Sequence, residues 1–232
     1  MKILAINGSP NREGSTAKLI DMVLEVCSNS GAACEHVHLE DYMIETCTRC
    51  NRCIKGGECC VDDDYLHLKA KMLEADGIVI GSPYYNGDAV EHIRVFLDRL
   101  SVSDGFYHLF EKKYILGVAT SAVNDCKNIA EFCANLGSAD LPGGGIVSGI
   151  LYECIVTNDG VKDMDSENVI KQKVLTVSTK FINDIKNKNT PSFANKKKFP
   201  LMENMIKIKE DITGWIQHLK EAGSSKGNSE NH

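Results

Sequence analysis

The sequence predicts an α/β fold in which a five-stranded parallel sheet carries helices on both faces. Three observations lead there. Short apolar runs alternate with longer helical stretches, and parallel strands need such long crossovers. The turns after three of the runs carry unusual polar chemistry, as ligand-binding loops at strand ends do. A chain of 232 residues, 43% hydrophobic and 25% charged, can bury a sizeable core without covalent staples.

The elements follow in order. Ile3-Leu4-Ala5-Ile6 is the first strand. A helix is expected from Ser15 to about Ser28, with Leu19, Ile20, Val23, Leu24 and Cys27 on one face. The second strand falls near Cys34 to Leu39. A cysteine-rich segment follows, and then Asp62-Asp63-Asp64, which reads as the start of a helix carrying Leu66, Leu68 and Met72. The third strand is Gly77 to Ile80; it ends in the turn Gly81-Ser82-Pro83-Tyr84-Tyr85-Asn86-Gly87, with a helix from about Asp88 to Leu100. Tyr114 to Ala119 is the fourth strand and leads into Thr120-Ser121. A helix near Lys127–Leu136, a strand near Gly145–Tyr152 and a helix near Ser166–Lys186 complete a domain spanning 1–187.

Residues 188–200 are polar, hold two of the five prolines, and read as a linker. A helix over 201–221 follows, with Leu201, Met205, Ile208, Ile212, Trp215 and Leu219 spaced as a heptad seam. That seam packs either on its own domain or on another subunit. Residues 222–232 read as a disordered tail.

Composition narrows the function. The net charge of −6 argues against a nucleic-acid surface. No signal peptide and no long apolar span is present, which points to the cytoplasm, where thiols stay reduced. Five of the ten cysteines fall between Cys47 and Cys60. In a reducing compartment such a cluster is metal-binding or redox-active.

The turn Gly8-Ser9-Pro10-Asn11-Arg12-Glu13-Gly14-Ser15-Thr16 joins a strand to a helix, whose N-terminus suits a phosphate. Five residues separate Gly8 from Gly14 and no lysine precedes Ser15, so this is not a Walker loop. Position 10 is proline, which removes the dinucleotide fingerprint. A hydroxyl-rich cradle for a terminal monophosphate, as in FMN, remains. The plainer alternative is a helix capped by Ser15 with no ligand. Tyr84 and Tyr85 suit packing against a flat ring, or else pack on the neighbouring helix. Thr120 and Ser121 line the same cleft or merely end a strand.

Cys47, Cys50 and Cys53 have two residues between each pair, and Cys59 follows after five, with Cys60 beside it. This compact spacing favours a 4Fe–4S cluster over a zinc site, which usually pairs two knuckles across a longer insert. Redox-switching thiols are the other reading. Cys59 is the better fourth ligand and Cys60 the alternative. Arg49, Arg52 and Lys55 would offset a thiolate-ligated cluster's charge. Cys27, Cys34, Cys126, Cys133 and Cys154 read as core packing. His36 and His38 share a strand face with no ligand partner evident.

Gly8-Ser9-Pro10, Gly14-Ser15-Thr16, Pro83-Tyr84-Tyr85-Asn86-Gly87 and Asp98-Arg99 together resemble the NADPH-dependent FMN reductase family of flavodoxin-like proteins. The cysteine motif at 47, 50, 53 and 59 resembles its iron–sulfur flavoprotein branch. The resemblance implies a flavodoxin-like three-layer sandwich. It implies FMN held through its phosphate by Ser9, Asn11, Ser15 and Thr16. The ring would lie near Pro83, Tyr84, Tyr85, Asn86 and Gly87, with Thr120 and Ser121 on the far side. It further implies a 4Fe–4S cluster on Cys47, Cys50, Cys53 and Cys59. Electrons would pass between a ferredoxin-type donor or NAD(P)H, the cluster and FMN, in a homodimer or homotetramer. A cluster-free NAD(P)H-dependent FMN or quinone reductase is the nearest rival, and a thiol- or zinc-based redox sensor the next. The flavin carries the chemistry, so no side-chain acid or base is assigned.

Overall fold

The computed structural model describes residues 1–53, 59–103, 110, 112–122, 125–135, 145–154 and 164–189. The expected helix over 201–221, its tail and nearly all of the expected linker lie outside the described residues. In chain order the elements are β1 (Lys2–Asn7), α1 (Ser15–Asn29), β2 (Ala33–His38), α2 (Tyr65–Glu74), β3 (Gly77–Tyr85), β4 (Asp88–Ala89) and α3 (Glu91–Ser103), followed by β5 (Tyr114–Ser121), α4 (Lys127–Ala134), β6 (Ile146–Cys154) and α5 (Met164–Asn187). The sheet order is β2-β1-β3-β5-β6, parallel throughout, and the short β4 pairs antiparallel with the end of β3. The fold is the expected α/β sandwich.

Alternation along the strands builds two cores, because successive side chains point to opposite faces. Ile3, Ala5, Val79, Leu116 and Val118 pack with Leu19 and Val23 of α1 and Val174 and Phe181 of α5. Leu4, Ile6, Ile78, Ile80 and Ile115 pack with Leu68 and Met72 of α2, Ile93 and Phe96 of α3, and Ala130 and Cys133 of α4. Central strands buried on both faces therefore read as unbroken apolar runs. Each fully buried isoleucine or leucine is worth about 1.5–3 kcal/mol over its exposed state. Strand order reverses between β1 and β3, and this opens a crevice at their carboxyl ends.

Three expectations are revised. β3 continues to Tyr85 instead of stopping at Ile80, and α3 begins at Glu91, after the hairpin, rather than at Asp88. Asn86 and Gly87 take positive φ values of 50° and 92°, the pattern of a two-residue type I′ turn, and this folds the chain back as β4. β5 runs past its expected end at Ala119, so that Thr120 and Ser121 are its last two residues, as one of the two readings of that pair had it. Asp64 takes the N-cap position of α2, but its side chain does not cap the helix. Its carboxylate instead accepts the Met43 N–H at 2.8 Å, while Asp63 accepts the N–H groups of Glu45 (2.9 Å) and Tyr65 (3.1 Å). These aspartates join the two ends of the cysteine segment.

Candidate flavin and cysteine site

The loop after β1 is held from below. Gly8 donates its N–H to Gly81 O at 2.8 Å, which ties it to β3. A Cβ on Gly8 would lie 2.0 Å from Cγ1 of the buried Ile93, so this close approach requires glycine. Asn7 is fully buried; its Oδ1 accepts the Ser9 N–H at 2.9 Å, and its Nδ2 lies 3.2 Å from His38 Nδ1. Ser9 Oγ accepts the Asn11 N–H at 3.2 Å, and Asn11 Oδ1 accepts the Glu13 N–H at 3.0 Å. The loop is thus pre-shaped by its own side chains.

Gly14 occupies the N-cap of α1 in an extended conformation, with no side-chain hydrogen bond capping the helix and no acidic residue in its first turn. The N-cap is therefore Gly14 and not Ser15, which is the first helical residue. The opening N–H groups of α1 and its positive dipole end are the equipment of an anion site. The Thr16 and Thr120 hydroxyls meet at 2.7 Å, both buried, and link this loop to the end of β5. Ser9 near the start of the loop and Ser15 and Thr16 at its end supply the hydroxyls, and Thr16 is tied across to β5. These residues fit a flavin phosphate.

The β3–β4 hairpin forms the second wall. Pro83 is buried beside Thr120 in the sheet register, and Ser121 lies next along β5. Tyr84 is half-buried against the α2–α4 core, while Tyr85 is 53% exposed. The tyrosines therefore split: one anchors the hairpin and the other stands free on it. Asn86 and Gly87 form the turn itself. Ser82 escaped the sequence reading. It is fully buried, donates to Pro83 O at 2.9 Å and accepts the Val90 N–H at 3.2 Å, which fixes the hairpin to the start of α3.

The cysteine segment leaves β2 and returns at α2. Arg49 and Asn51, which separate the first three cysteines, take left-handed φ values of 52° and 59°. Left-handed residues reverse the chain direction locally, so the cysteine segment turns sharply on either side of Cys50. Cys50 and Cys60 are exposed with sulfurs 3.2 Å apart; Cys47, Cys53 and Cys59 are half-buried. The N–H of Arg52 and the Cys60 thiol, bonding to the Cys50 sulfur, hold that thiol below its usual range. Thiolate donors on a short, turning loop suit an iron–sulfur cluster in kind. Among the described residues, no three His, Cys, Asp or Glu side chains converge as a metal site.

Arg99 of α3, which the sequence offered only as part of the Asp98-Arg99 motif and without a role, lies at the centre of a buried polar cluster. It is 3% exposed and lies one turn after the buried Phe96, on the apolar face. Its guanidinium bonds Asp63 (2.6 and 3.2 Å), Glu45 O (2.7 Å) and Cys59 Sγ (3.2 Å). A charge set into an apolar helical stripe was the available signal. Cys27, Cys126 and Cys133 are fully buried, as expected. His36 and His38 stack with centroids 4.6 Å apart. Their partners are Asp21 and Asn7, not other ligands.

Residues 1–134 match the family model described as NADPH-dependent FMN reductase. An iron–sulfur flavoprotein of Archaeoglobus fulgidus is 36% identical over 148 residues, which cover 61% of this chain and 72% of that one. An iron–sulfur flavoprotein of Methanocaldococcus jannaschii is 37% identical over 99 residues, 43% of this chain and 51% of the relative, so the chain spans only about half of that protein. Among solved structures, a flavone reductase superposes with a TM-score of 0.63 at 19% identity, over 82% of this chain and 65% of the other; at that identity it speaks for the fold alone. Family model and curated relative together show that the chain belongs to the NADPH-dependent FMN reductase family, flavin-dependent oxidoreductases, in its iron–sulfur flavoprotein branch.

Proposed function

We propose that this protein is an electron-transfer flavoprotein that binds FMN in the β1/β3 crevice and a 4Fe–4S cluster on Cys47, Cys50, Cys53 and Cys59. The observation that carries the flavin half is the uncapped, acid-free start of α1, beside a pre-shaped Ser/Asn loop and the Thr16–Thr120 pair. The N–H groups and hydroxyls of Ser9, Ser15 and Thr16 hold the phosphate, and Asn11 keeps the loop in shape. The hairpin from Pro83 to Gly87 flanks the ring, with Thr120 and Ser121 opposite. Bound FMN supplies exchange between hydride and single-electron transfer, and a cluster supplies single-electron transfer.

The cysteine half rests on donor type, spacing and the turns at Arg49 and Asn51. Cys59 is already fixed to the folded body by Arg99, which favours it as the fourth ligand. The Cys50–Cys60 approach favours Cys60. The electron source is a ferredoxin-type donor or NAD(P)H, and the protein works as a homodimer or homotetramer, as the branch resemblance implies. That no three donors converge among the described residues favours the second reading, a cluster-free NAD(P)H-dependent FMN or quinone reductase.

Anaerobic purification tests both. The expected product is brown, with one FMN and about four iron and four sulfide per chain. Cys50→Ala should abolish iron and keep FMN. Cys59→Ala and Cys60→Ala, compared for iron retention, decide the fourth ligand. A yellow, iron-free protein that steadily oxidises NAD(P)H would establish the second reading.

A further inference from the structure

We propose that Arg99 is the positioning residue of the cysteine loop: it clamps both ends of the loop to α3 and orients the Cys59 sulfur. The proposal rests on the cluster reading for its redox consequence, but not for the clamp itself.

The geometry is specific. The guanidinium reaches Glu45 O, just before Cys47, and Cys59 Sγ at the far end of the loop. Asp63 completes the grip. It takes two N–H groups from Arg99 and also accepts the backbone N–H of Glu45 and of Tyr65. The two side chains are 2% and 0% exposed. The Tyr65 ring covers the guanidinium at 4.3 Å, and its hydroxyl donates to Arg99 O at 3.3 Å. Four groups from two stretches, the Glu45 carbonyl and then the Cys59 sulfur, the Asp63 carboxylate and the Tyr65 ring, thus converge on one planar fork.

Stability alone does not account for this arrangement. A buried ion pair is costly to desolvate, and apolar replacements are often as stable. What an apolar residue cannot supply is a directional N–H toward a sulfur, or a fixed separation between the loop ends. Arginine can, because its donors sit in a rigid fork. Hydrogen bonds to thiolate ligands raise a cluster's potential and orient its ligands. Arg99 also sits on the helix that begins at the β3–β4 hairpin, so cysteine loop and flavin wall share one rigid support.

The test compares full-length wild type, Arg99→Lys and Arg99→Gln, each purified anaerobically with FMN. Both variants should keep FMN at the wild-type ratio. Arg99→Gln should bind several-fold less iron and sulfide, and Arg99→Lys, which keeps charge but not the fork, should fall between. The cluster remaining in Arg99→Lys should have a lower midpoint potential than wild type, a shift that a merely structural role would not produce. Amide exchange over residues 43–66, measured in metal-free FMN-bound protein, should be faster in both variants. If Arg99→Gln does not fold, the Arg99→Lys potential and exchange decide the matter. Wild-type iron, potential and exchange in both variants would overturn the proposal. No iron or sulfide in wild type overturns the cluster reading instead; faster exchange in the variants would then still establish the clamp, and unchanged exchange would refute it.

Discussion

The hydroxyls of Thr16 and Thr120 lie 2.7 Å apart, buried, although 104 residues separate them in the chain. One belongs to the first turn of α1 and the other to the end of β5. The contact crosses over β3 and locks the phosphate loop against the far wall of the crevice. Thr16→Val keeps the shape, removes one hydroxyl and strands the other, at a cost of about 1–3 kcal/mol. Thr16→Ser should cost far less. The double variant Thr16→Val/Thr120→Val should cost less than the two singles added together, because no stranded hydroxyl remains. Thermal melting and FMN titration measure both effects.

Acid should loosen the same loop through Asn7. With Nδ1 unprotonated, His38 accepts from the Asn7 amide, whose oxygen holds the Ser9 N–H. His38 sits below its usual pKa, chiefly through burial, then through the neighbouring His36 and Arg12; Asp21 and Glu40 pull weakly the other way. A lowered folded-state pKa means the contribution is complete above the unfolded value of about 6.5 and is lost as pH falls through the folded value. FMN affinity, followed by flavin fluorescence, should weaken as the pH falls through the folded-state value of His38, which lies below its ordinary one. His38→Gln, which can still accept from Asn7, should flatten that dependence.

The hairpin turn gives a separable test. A Cβ on Gly87 meets nothing closer than the Tyr84 hydroxyl at 3.9 Å, so space is not limiting there. Its φ of 92° is, and a left-handed conformation costs an L-residue about 1–2 kcal/mol. Gly87→Ala should therefore displace the Tyr84–Tyr85 segment and weaken FMN binding, with a modest fall in melting temperature. Asn86→Gly should be tolerated. Equal FMN affinity in Gly87→Ala would show that the hairpin does not touch the ring.

The thiols should divide by burial. Burial pushes Cys133 up to about 12, and burial plus the nearby Cys34 does the same for Cys27. Both should resist iodoacetamide at pH 8 in the folded protein and react only on unfolding, since thiolate is the nucleophile. In metal-free protein, Cys50 and Cys60 are exposed and should be modified first. Peptide mass mapping reads the order, and early labelling of Cys133 would contradict the packing of α4.

The division between sequence and structure follows the range of the forces involved. Alternating apolar runs and amphipathic stretches are local patterns, so the five parallel strands, their helices and the Gly8–Thr16 loop were legible directly. Cysteine spacing is also local, and it singled out the segment from Cys47 to Cys60. The Asn86-Gly87 pair is a strong hairpin signal that the expected turn followed by a helix from Asp88 overlooked. What the chain order could not show was convergence. Asn7 with His38, Thr16 with Thr120, and Arg99 with Glu45, Cys59 and Asp63 are each 31 or more residues apart. Only the packed sheet and helices bring them within hydrogen-bond reach, because burial removes water and leaves each polar group the protein itself as partner. The sequence by itself determined the order of strands and helices and singled out the loops proposed to carry the chemistry. The tertiary structure decided which side chains hold those loops in place.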